Sequence, residues 1–175
     1  MKKIISCFTL ALLASTLLIS ACGWQLRGTA EVPKGLSQLY VAATDHKDLL
    51  TIELKKTLKA NRVTLVDNSQ DANYTLTLNE ESKDRRTVSV GSDALSSAYE
   101  LTLKVAYEIR TKNTALPTKA TAVSVRSFSY NTASISSAAQ EEALLISEMR
   151  RDLVQQMLRR LNSVVTHSQT PSNSQ

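Results

Sequence analysis

The chain has 175 residues, a formal net charge of +5, two cysteines and two histidines. This length suits one domain, and four glycines are too few for a glycine-rich phosphate loop. The mild positive charge argues against nucleic-acid binding, which concentrates basic residues on one face. Cys7 and Cys22 both lie near the N-terminus, so a disulfide framework and a cysteine zinc site are excluded for the rest of the chain.

The first 21 residues have the pattern of a removable signal peptide. Lys2 and Lys3 precede an apolar run over residues 4–19, which is short and interrupted by Ser and Thr. Removal of residues 1–21 leaves about 154 residues with a net charge of +3. A chain of that size buries roughly 70% of the surface that its unfolded form exposes, so it needs no disulfides to build a core.

The end of this segment, Ile19-Ser20-Ala21-Cys22, resembles the lipobox of bacterial lipoproteins. The resemblance implies covalent acyl chains on Cys22, and two or more such chains anchor a protein stably. Gly23 rather than Asp follows the cysteine, which implies export to the outer membrane. The alternative is an ordinary secretory signal with an incidental cysteine.

Composition divides the remainder into three parts. Residues 22–36 contain three of the four glycines and are predicted to form an anchor and tether. Residues 37–165 are predicted to form a single domain. Residues 166–175 have almost no apolar side chain and are predicted to be a disordered tail.

Hydrophobic patterns predict a strand, a helix and a second strand at the start of the domain. The first strand covers residues 38–43, and Asp45 caps a helix that runs to about Ala60. Asn61 is predicted to end this helix in a left-handed conformation, before a short strand over residues 62–66. One stripe of the helix is apolar: Leu50, Leu54 and Leu58.

Alternating residues predict the strands that follow. Residues 74–78 form one strand, and a charged stretch over residues 80–86 leads into another at 87–90. Residues 99–110 alternate strictly, so one face is buried and the other is wet. In the last strand Val123 and Val125 share one face while Phe128 falls on the other, which predicts either a bulge near residues 126–127 or a strand that leaves the sheet there.

A long amphipathic helix is predicted over residues 137–165. Its apolar arc consists of Leu145, Met149, Leu153, Met157, Leu161 and Val164. The order of elements predicts an α+β fold. Its sheet is mixed, mostly antiparallel and of about four or more strands, with two helices packed on one face.

Patterns that carry catalysis or bind metals are missing from the sequence. His46 and His167 lie far apart, and neither a Gly-x-Ser-x-Gly elbow nor a Walker loop is present. We therefore predict that the chain is not an enzyme and needs no cofactor or metal. An anchored hydrolase with an unrecognised site is the alternative.

One basic cluster could bind a ligand. Lys83, Arg85 and Arg86 lie together before a predicted strand end. Arginine forks bind phosphate and carboxylate groups with two hydrogen bonds, so the cluster could hold such groups. The alternative is a charged hairpin end that only keeps the protein soluble.

Three segments resemble the LptE family of lipopolysaccharide-assembly lipoproteins. Residues 22–28, Cys-Gly-Trp-Gln-Leu-Arg-Gly, followed by Val32-Pro33, resemble the mature start of the family. Arg126-Ser127-Phe128 precedes the last helix as in the family, and Glu148-Met149 with Arg151-Asp152 resembles its long C-terminal helix.

The resemblance implies a non-catalytic lipoprotein of the outer membrane that faces the periplasm. Such a protein plugs the LptD barrel, helps it assemble and binds lipopolysaccharide through the lipid A phosphates, without a cofactor. Residues 127–149 contain no Lys or Arg, so the expected phosphate contacts are Lys83, Arg85 and Arg86. The alternative is another periplasm-facing lipoprotein that acts as scaffold or chaperone for a membrane complex.

Overall fold

A computed structural model describes residues 36–45, 47–90, 96–112, 114, 116–129 and 135–169. The predicted signal peptide, Cys22, residues 22–35 of the tether and His46 lie outside these residues. The strands are β1 (Leu39–Ala43), β2 (Tyr74–Leu78), β3 (Ser82–Val90), β4 (Ser96–Thr111) and β5 (Thr118–Ser129). The helices are α1 (Leu49–Ala60) and α2 (Ile135–Gln169).

The 16-residue strand β4 organises the sheet. β5 pairs antiparallel along one of its edges, from Ala98–Ser129 to Ile109–Thr118. The other edge is shared, because β2 pairs with residues 107–111 and β3 with residues 96–104. β1 lies parallel to β2. The sheet is therefore mixed and mostly antiparallel, and both helices join a single apolar core with it, which confirms the predicted fold class.

The first helix has the predicted apolar stripe, since Leu50, Leu54 and Leu58 are fully buried. It begins later than predicted, at Leu49. The Asp45 carboxylate instead accepts a hydrogen bond from the backbone N–H of Lys47, at 2.8 Å. An Asp side chain that accepts a hydrogen bond from the backbone N–H two residues later stabilises a loop turn. It does not cap the helix that follows.

The left-handed residue after α1 is Arg62, with φ 62°, whereas the predicted Asn61 has φ −88°. The predicted strand over residues 62–66 is also wrong. A single parallel bridge joins Leu39 and Leu65, because the N–H of Leu39 bonds the Thr64 carbonyl and the N–H of Val66 bonds the Leu39 carbonyl. The chain touches β1 there for one residue and then turns away.

Both explanations predicted for β5, a bulge and a departure from the sheet near residues 126–127, are wrong, because β5 pairs with β4 through residue 129 without a register shift. Ala122, Ser124 and Phe128 face the core, whereas Val123 and Val125 are 41% and 43% exposed on the other face. Two of these core-facing residues, Ala122 and Ser124, are small, and Ser124 bonds directly to α2, which leaves room for the helix over this part of the strand. Packing against α2 therefore decides which face of β5 turns to the core. The larger side chains of Val123 and Val125 are left on the open face.

The second helix buries the core of the predicted arc: Met149, Leu153, Met157 and Leu161. It continues four residues beyond Val165, where the sequence pattern predicts its end, to Gln169. The hydroxyls of Ser168 and Tyr74 lie 3.3 Å apart and form a hydrogen bond. This contact holds the last turn of α2 against β2.

Polar side chains of α2 also form hydrogen bonds with β5, including its unpaired outer edge. The Gln156 amide accepts a hydrogen bond from the N–H of Val123 at 3.2 Å and donates one to its carbonyl at 2.8 Å. The Ser124 hydroxyl donates to the Asp152 carboxylate at 2.9 Å. The amide occupies the positions that a further strand would need, which protects this edge from pairing with another chain.

The buried phenol of Tyr107, which is 3% exposed, makes the stability of the folded state depend on pH in the alkaline range. Desolvation raises the pKa of its phenol, and the nearby charge of Arg160 opposes this rise. Because the folded pKa exceeds the unfolded value of about 10, stability is lost as the pH rises above that value. We expect Tyr107→Phe to reduce the loss of unfolding free energy between about pH 9 and about pH 11, measured by urea unfolding. An unchanged loss would contradict this prediction.

Candidate functional site

A buried ion pair fixes the start of β3 to α2. The guanidinium of Arg150 donates hydrogen bonds of 2.8 and 2.9 Å to the two carboxylate oxygens of Glu81. The side chains are only 20% and 8% exposed. The hydrogen bonding that Arg150 donates to Glu81 raises the pKa of Arg150, and desolvation opposes this rise. This pair sets the position of α2 relative to the basic residues that follow on β3.

The three predicted contacts all lie inside β3, and the strand places them on opposite faces. Lys83 pairs with Leu103 and Arg85 with Leu101, both core residues, so these two cations share the helix-covered face. Arg86 pairs with Glu100 and points to the open face. Successive side chains of a strand alternate, so neighbours in sequence cannot form one patch there.

Lys83 and Arg85 share one carboxylate of α2. Their nitrogens lie 3.8 and 3.2 Å from Glu142, and each side chain is 51% exposed. The Arg85 guanidinium also stacks over the Tyr99 ring, 4.8 Å from its centroid. One carboxylate cannot neutralise two cations, so this group keeps a positive charge that solvent can reach.

Arg86 is neutralised by a single partner. Its Nε donates a 2.7 Å hydrogen bond to Glu100 on the neighbouring strand. That hydrogen bond, with the charge of Glu100, raises the pKa of Arg86. An exposed guanidinium already paired with a carboxylate has less to offer an incoming phosphate.

The strand register adds a cation that the sequence analysis does not place in the site. Leu101 pairs with Arg85 on one side and with Arg126 of β5 on the other. Arg85 and Arg126 therefore point to the same face with backbones about 10 Å apart, two strand spacings. Arg126 is exposed and donates to the Val125 carbonyl at 2.9 Å. The parity of Phe128, two residues on, is the sequence signal that could have revealed it.

Together, Lys83, Arg85 and Arg126 form what we call the basic rim. It borders the aromatic pair of Tyr99 and Phe128, whose ring centroids are 5.8 Å apart. An arginine stacked on an aromatic ring, with two further exposed cations on the same face, suits a ligand with phosphate groups next to an apolar body.

Within the described part of the chain, no group of three His, Cys, Asp or Glu residues is placed to hold a metal ion. His167 is exposed, and its Nδ1 lies 2.6 Å from the Ser163 carbonyl. Among the described helices, none is long and apolar enough to cross a membrane.

Comparison with known proteins identifies the family. A family model described as LptE, lipopolysaccharide-assembly, matches residues 36–161. The chain belongs to the LptE family. A protein of Photorhabdus laumondii named LPS-assembly lipoprotein LptE is 29% identical over 157 residues, covering 89% of this chain and 85% of the relative. A protein of Pectobacterium atrosepticum with the same name is 27% identical over 158 residues, or 90% and 85% of the two chains.

Solved structures share the fold. Rare lipoprotein B from Shewanella oneidensis superposes with a TM-score of 0.70 at 22% identity, over 76% of this chain and 99% of that one. A minor lipoprotein from Acinetobacter baumannii gives a TM-score of 0.59 at 27% identity, over 74% and 92%. LptE proteins are non-catalytic lipoproteins of lipopolysaccharide assembly, so the predictions of the family and of a protein that is not an enzyme are confirmed.

Proposed function

We propose that this LptE-family chain is held at the outer membrane by acyl chains on Cys22 and faces the periplasm. There it plugs an LptD-type barrel, helps that barrel assemble and assists insertion of lipopolysaccharide into the outer leaflet. The family match over residues 36–161 is the observation that carries this proposal. Cys22 supplies the residue that acylation requires.

The open face of the sheet supports the role of a plug. Both helices pack on the other face, so the open face is available to contact solvent or a partner protein. It is mostly polar, with an ion pair of 3.5 Å between Glu108 and Lys119. Val123 and Val125 interrupt this polarity. A mostly polar surface around a separate apolar core suits the water-filled interior of a large barrel.

The barrel partner can be tested by purifying the tagged, lipidated chain in mild detergent and identifying what accompanies it by mass spectrometry. A large outer-membrane barrel in equal amount supports the plug. A chain that arrives alone at native expression contradicts it. Recovery of a different membrane complex would favour the alternative, a scaffold or chaperone lipoprotein.

For lipopolysaccharide, we propose that Lys83 and Arg85 contact the lipid A phosphates together with Arg126. These cations share one face, and the rim keeps a net positive charge beside Glu142. Arg86 remains a possible contact on sequence grounds alone, but its bond to Glu100 on the other face leads us to expect a smaller contribution.

We expect Arg85→Gln with Arg126→Gln to weaken lipopolysaccharide binding about a hundredfold or more, since two contacts are lost and hydrogen bonds to charged groups contribute about 1.5–3 kcal/mol each. Arg86→Gln is the matched control and is expected to change the affinity less than the paired variant. Affinity is measured by titrating purified lipopolysaccharide against the lipidated protein, with folding checked by circular dichroism. An equal loss from Arg86→Gln, or none from the paired variant, would refute the proposed site.

A further inference from the structure

The chain enters the domain at the sheet end opposite the basic rim. β1 starts at Leu39, which pairs with Tyr74, and Tyr74 pairs with Thr111 at the end of β4. Asn73 donates a 3.2 Å hydrogen bond to the Ser37 hydroxyl, close to the first described residue. The bond between Tyr74 and Ser168 brings the last turn of α2 to the same place. We call this the tether end.

The tether end carries cations with no ion-pair partner among the described residues: Arg110, Lys112 and Arg160. Arg110 and Lys112 flank Thr111 on β4 and its turn, and Arg160 projects from α2, and all three are exposed. A cleft of about 410 Å³ lies between this turn and α2 and is lined by Thr111, Leu116 and Arg160. None of the described residues that line it carries a carboxylate.

Leu116 lies in the connection between β4 and β5 and lines the same cleft as Arg160. Arg110 and Lys112 line a second depression on the other side of Thr111. The Leu116 side chain is 79% exposed, more than any other large apolar side chain in the described part of the chain. An exposed apolar side chain at an end of the domain that also carries several exposed cations is typical of surfaces that bind at the headgroup region of a membrane.

We infer that the tether end docks on a membrane leaflet that contains anionic phospholipid. Leu116 enters the headgroup region, and Arg110, Lys112 and Arg160 meet the lipid phosphates. This inference rests on the acyl anchor at Cys22 in the proposed function. Residues 22–35 span at most about 50 Å, so the anchor keeps this end within reach of the leaflet.

The acyl anchor is assisted by two weaker interactions with the membrane, insertion of Leu116 and attraction of the three cations to anionic lipid. Each basic residue near an anionic surface contributes about 1 kcal/mol, which is roughly a fivefold change in the docked population. The field of the leaflet extends only about 8 Å at physiological salt, so in the docked state the cations of the tether end lie within this field and the basic rim lies outside it.

The test uses the full lipidated chain with Leu116→Cys, labelled with a small apolar fluorophore. Acylated Cys22 has no free thiol, so the new cysteine is the labelled site. The protein is reconstituted in vesicles of phosphatidylcholine alone or mixed equally with phosphatidylglycerol, each with a nitroxide-labelled lipid as quencher. We expect stronger quenching at position 116 in the anionic vesicles.

A matched control places the same label at the opposite end. Val90 of β3 is also apolar and exposed, at 59%. Val90→Cys is expected to show little quenching in either vesicle. Equal quenching at positions 90 and 116, or none at 116, would overturn the inference.

Charge dependence is tested in the same labelled protein. Arg110→Gln, Lys112→Gln and Arg160→Gln together should reduce the quenching to the level seen in phosphatidylcholine. Raising NaCl to about 1 M, where the screening length is about 3 Å, should do the same. Quenching that resists both changes would exclude contact through the lipid phosphates.

Failure of this inference can be separated from failure of the proposed function. The vesicles contain no barrel, so a negative result for an LptD-type partner leaves this test intact. Intact-mass measurement reports whether Cys22 is acylated. An unmodified chain overturns both the anchor and the docking, whereas an acylated chain without quenching overturns the docking alone.

Discussion

Arg150→Met is expected to lower the free energy of unfolding by about 3 kcal/mol, because it leaves the Glu81 carboxylate buried without its partner. Glu81 is 8% exposed and Arg150 20%, so water replaces little of the lost interaction. The geometry is bidentate, with hydrogen bonds of 2.8 and 2.9 Å. Urea unfolding followed by circular dichroism measures the change.

Two further variants separate the lost pair from a general effect of removing a charge. Glu81→Leu combined with Arg150→Met should recover most of the loss, because neither charge is then buried alone. Arg86→Gln removes an exposed ion pair and should therefore destabilise the protein far less than Arg150→Met does. An Arg150→Met variant as mild as Arg86→Gln would mean that Glu81 is solvated in solution.

Ala122→Leu is expected to destabilise the protein by about 3 kcal/mol, at the upper end of the range for overpacked cores. Ala122 is fully buried on the face of β5 that α2 covers. The extra carbons have no space unless the helix moves away from the sheet. Such a movement would also strain the bonds that Gln156 makes with Val123.

Val123→Leu is the matched control for Ala122→Leu. Its side chain is 41% exposed on the opposite face, so a larger apolar residue should change stability by less than about 0.5 kcal/mol. If Val123→Leu proved the more damaging of the two, the parity assigned to β5 would be wrong.

Local periodicity predicts most of the elements. Leu50, Leu54 and Leu58 recur at helical spacing, and all three are buried. Residues 99–110 alternate because one face of β4 meets the core. The exceptions are the single bridge at Leu65 and the parity of β5, where contact with a distant segment decides the outcome. A strand pattern records side-chain size, and on β5 the small residues face the core to admit α2.

The basic site likewise depends partly on local sequence and partly on contacts between distant segments. The sequence places Lys83, Arg85 and Arg86 close together along the chain. Once these residues are known to form a strand, the alternation of side chains puts Arg86 on the opposite face from the other two. The register of β4 with both neighbours then brings Arg126 to the side of Arg85. No rule of local spacing links residues 41 positions apart.

The sequence by itself determined the compartment signals, the helix stripes and the resemblance to the LptE family, because acylation motifs and periodic patterns are properties of neighbouring residues. Only the tertiary structure decided which cations share a face, which carboxylate balances them, and that Glu81 meets Arg150. It also decided that the start of β1 lies at the same end of the sheet as Arg110 and Arg160. These are contacts between segments far apart in the chain, and strand register and helix packing set them.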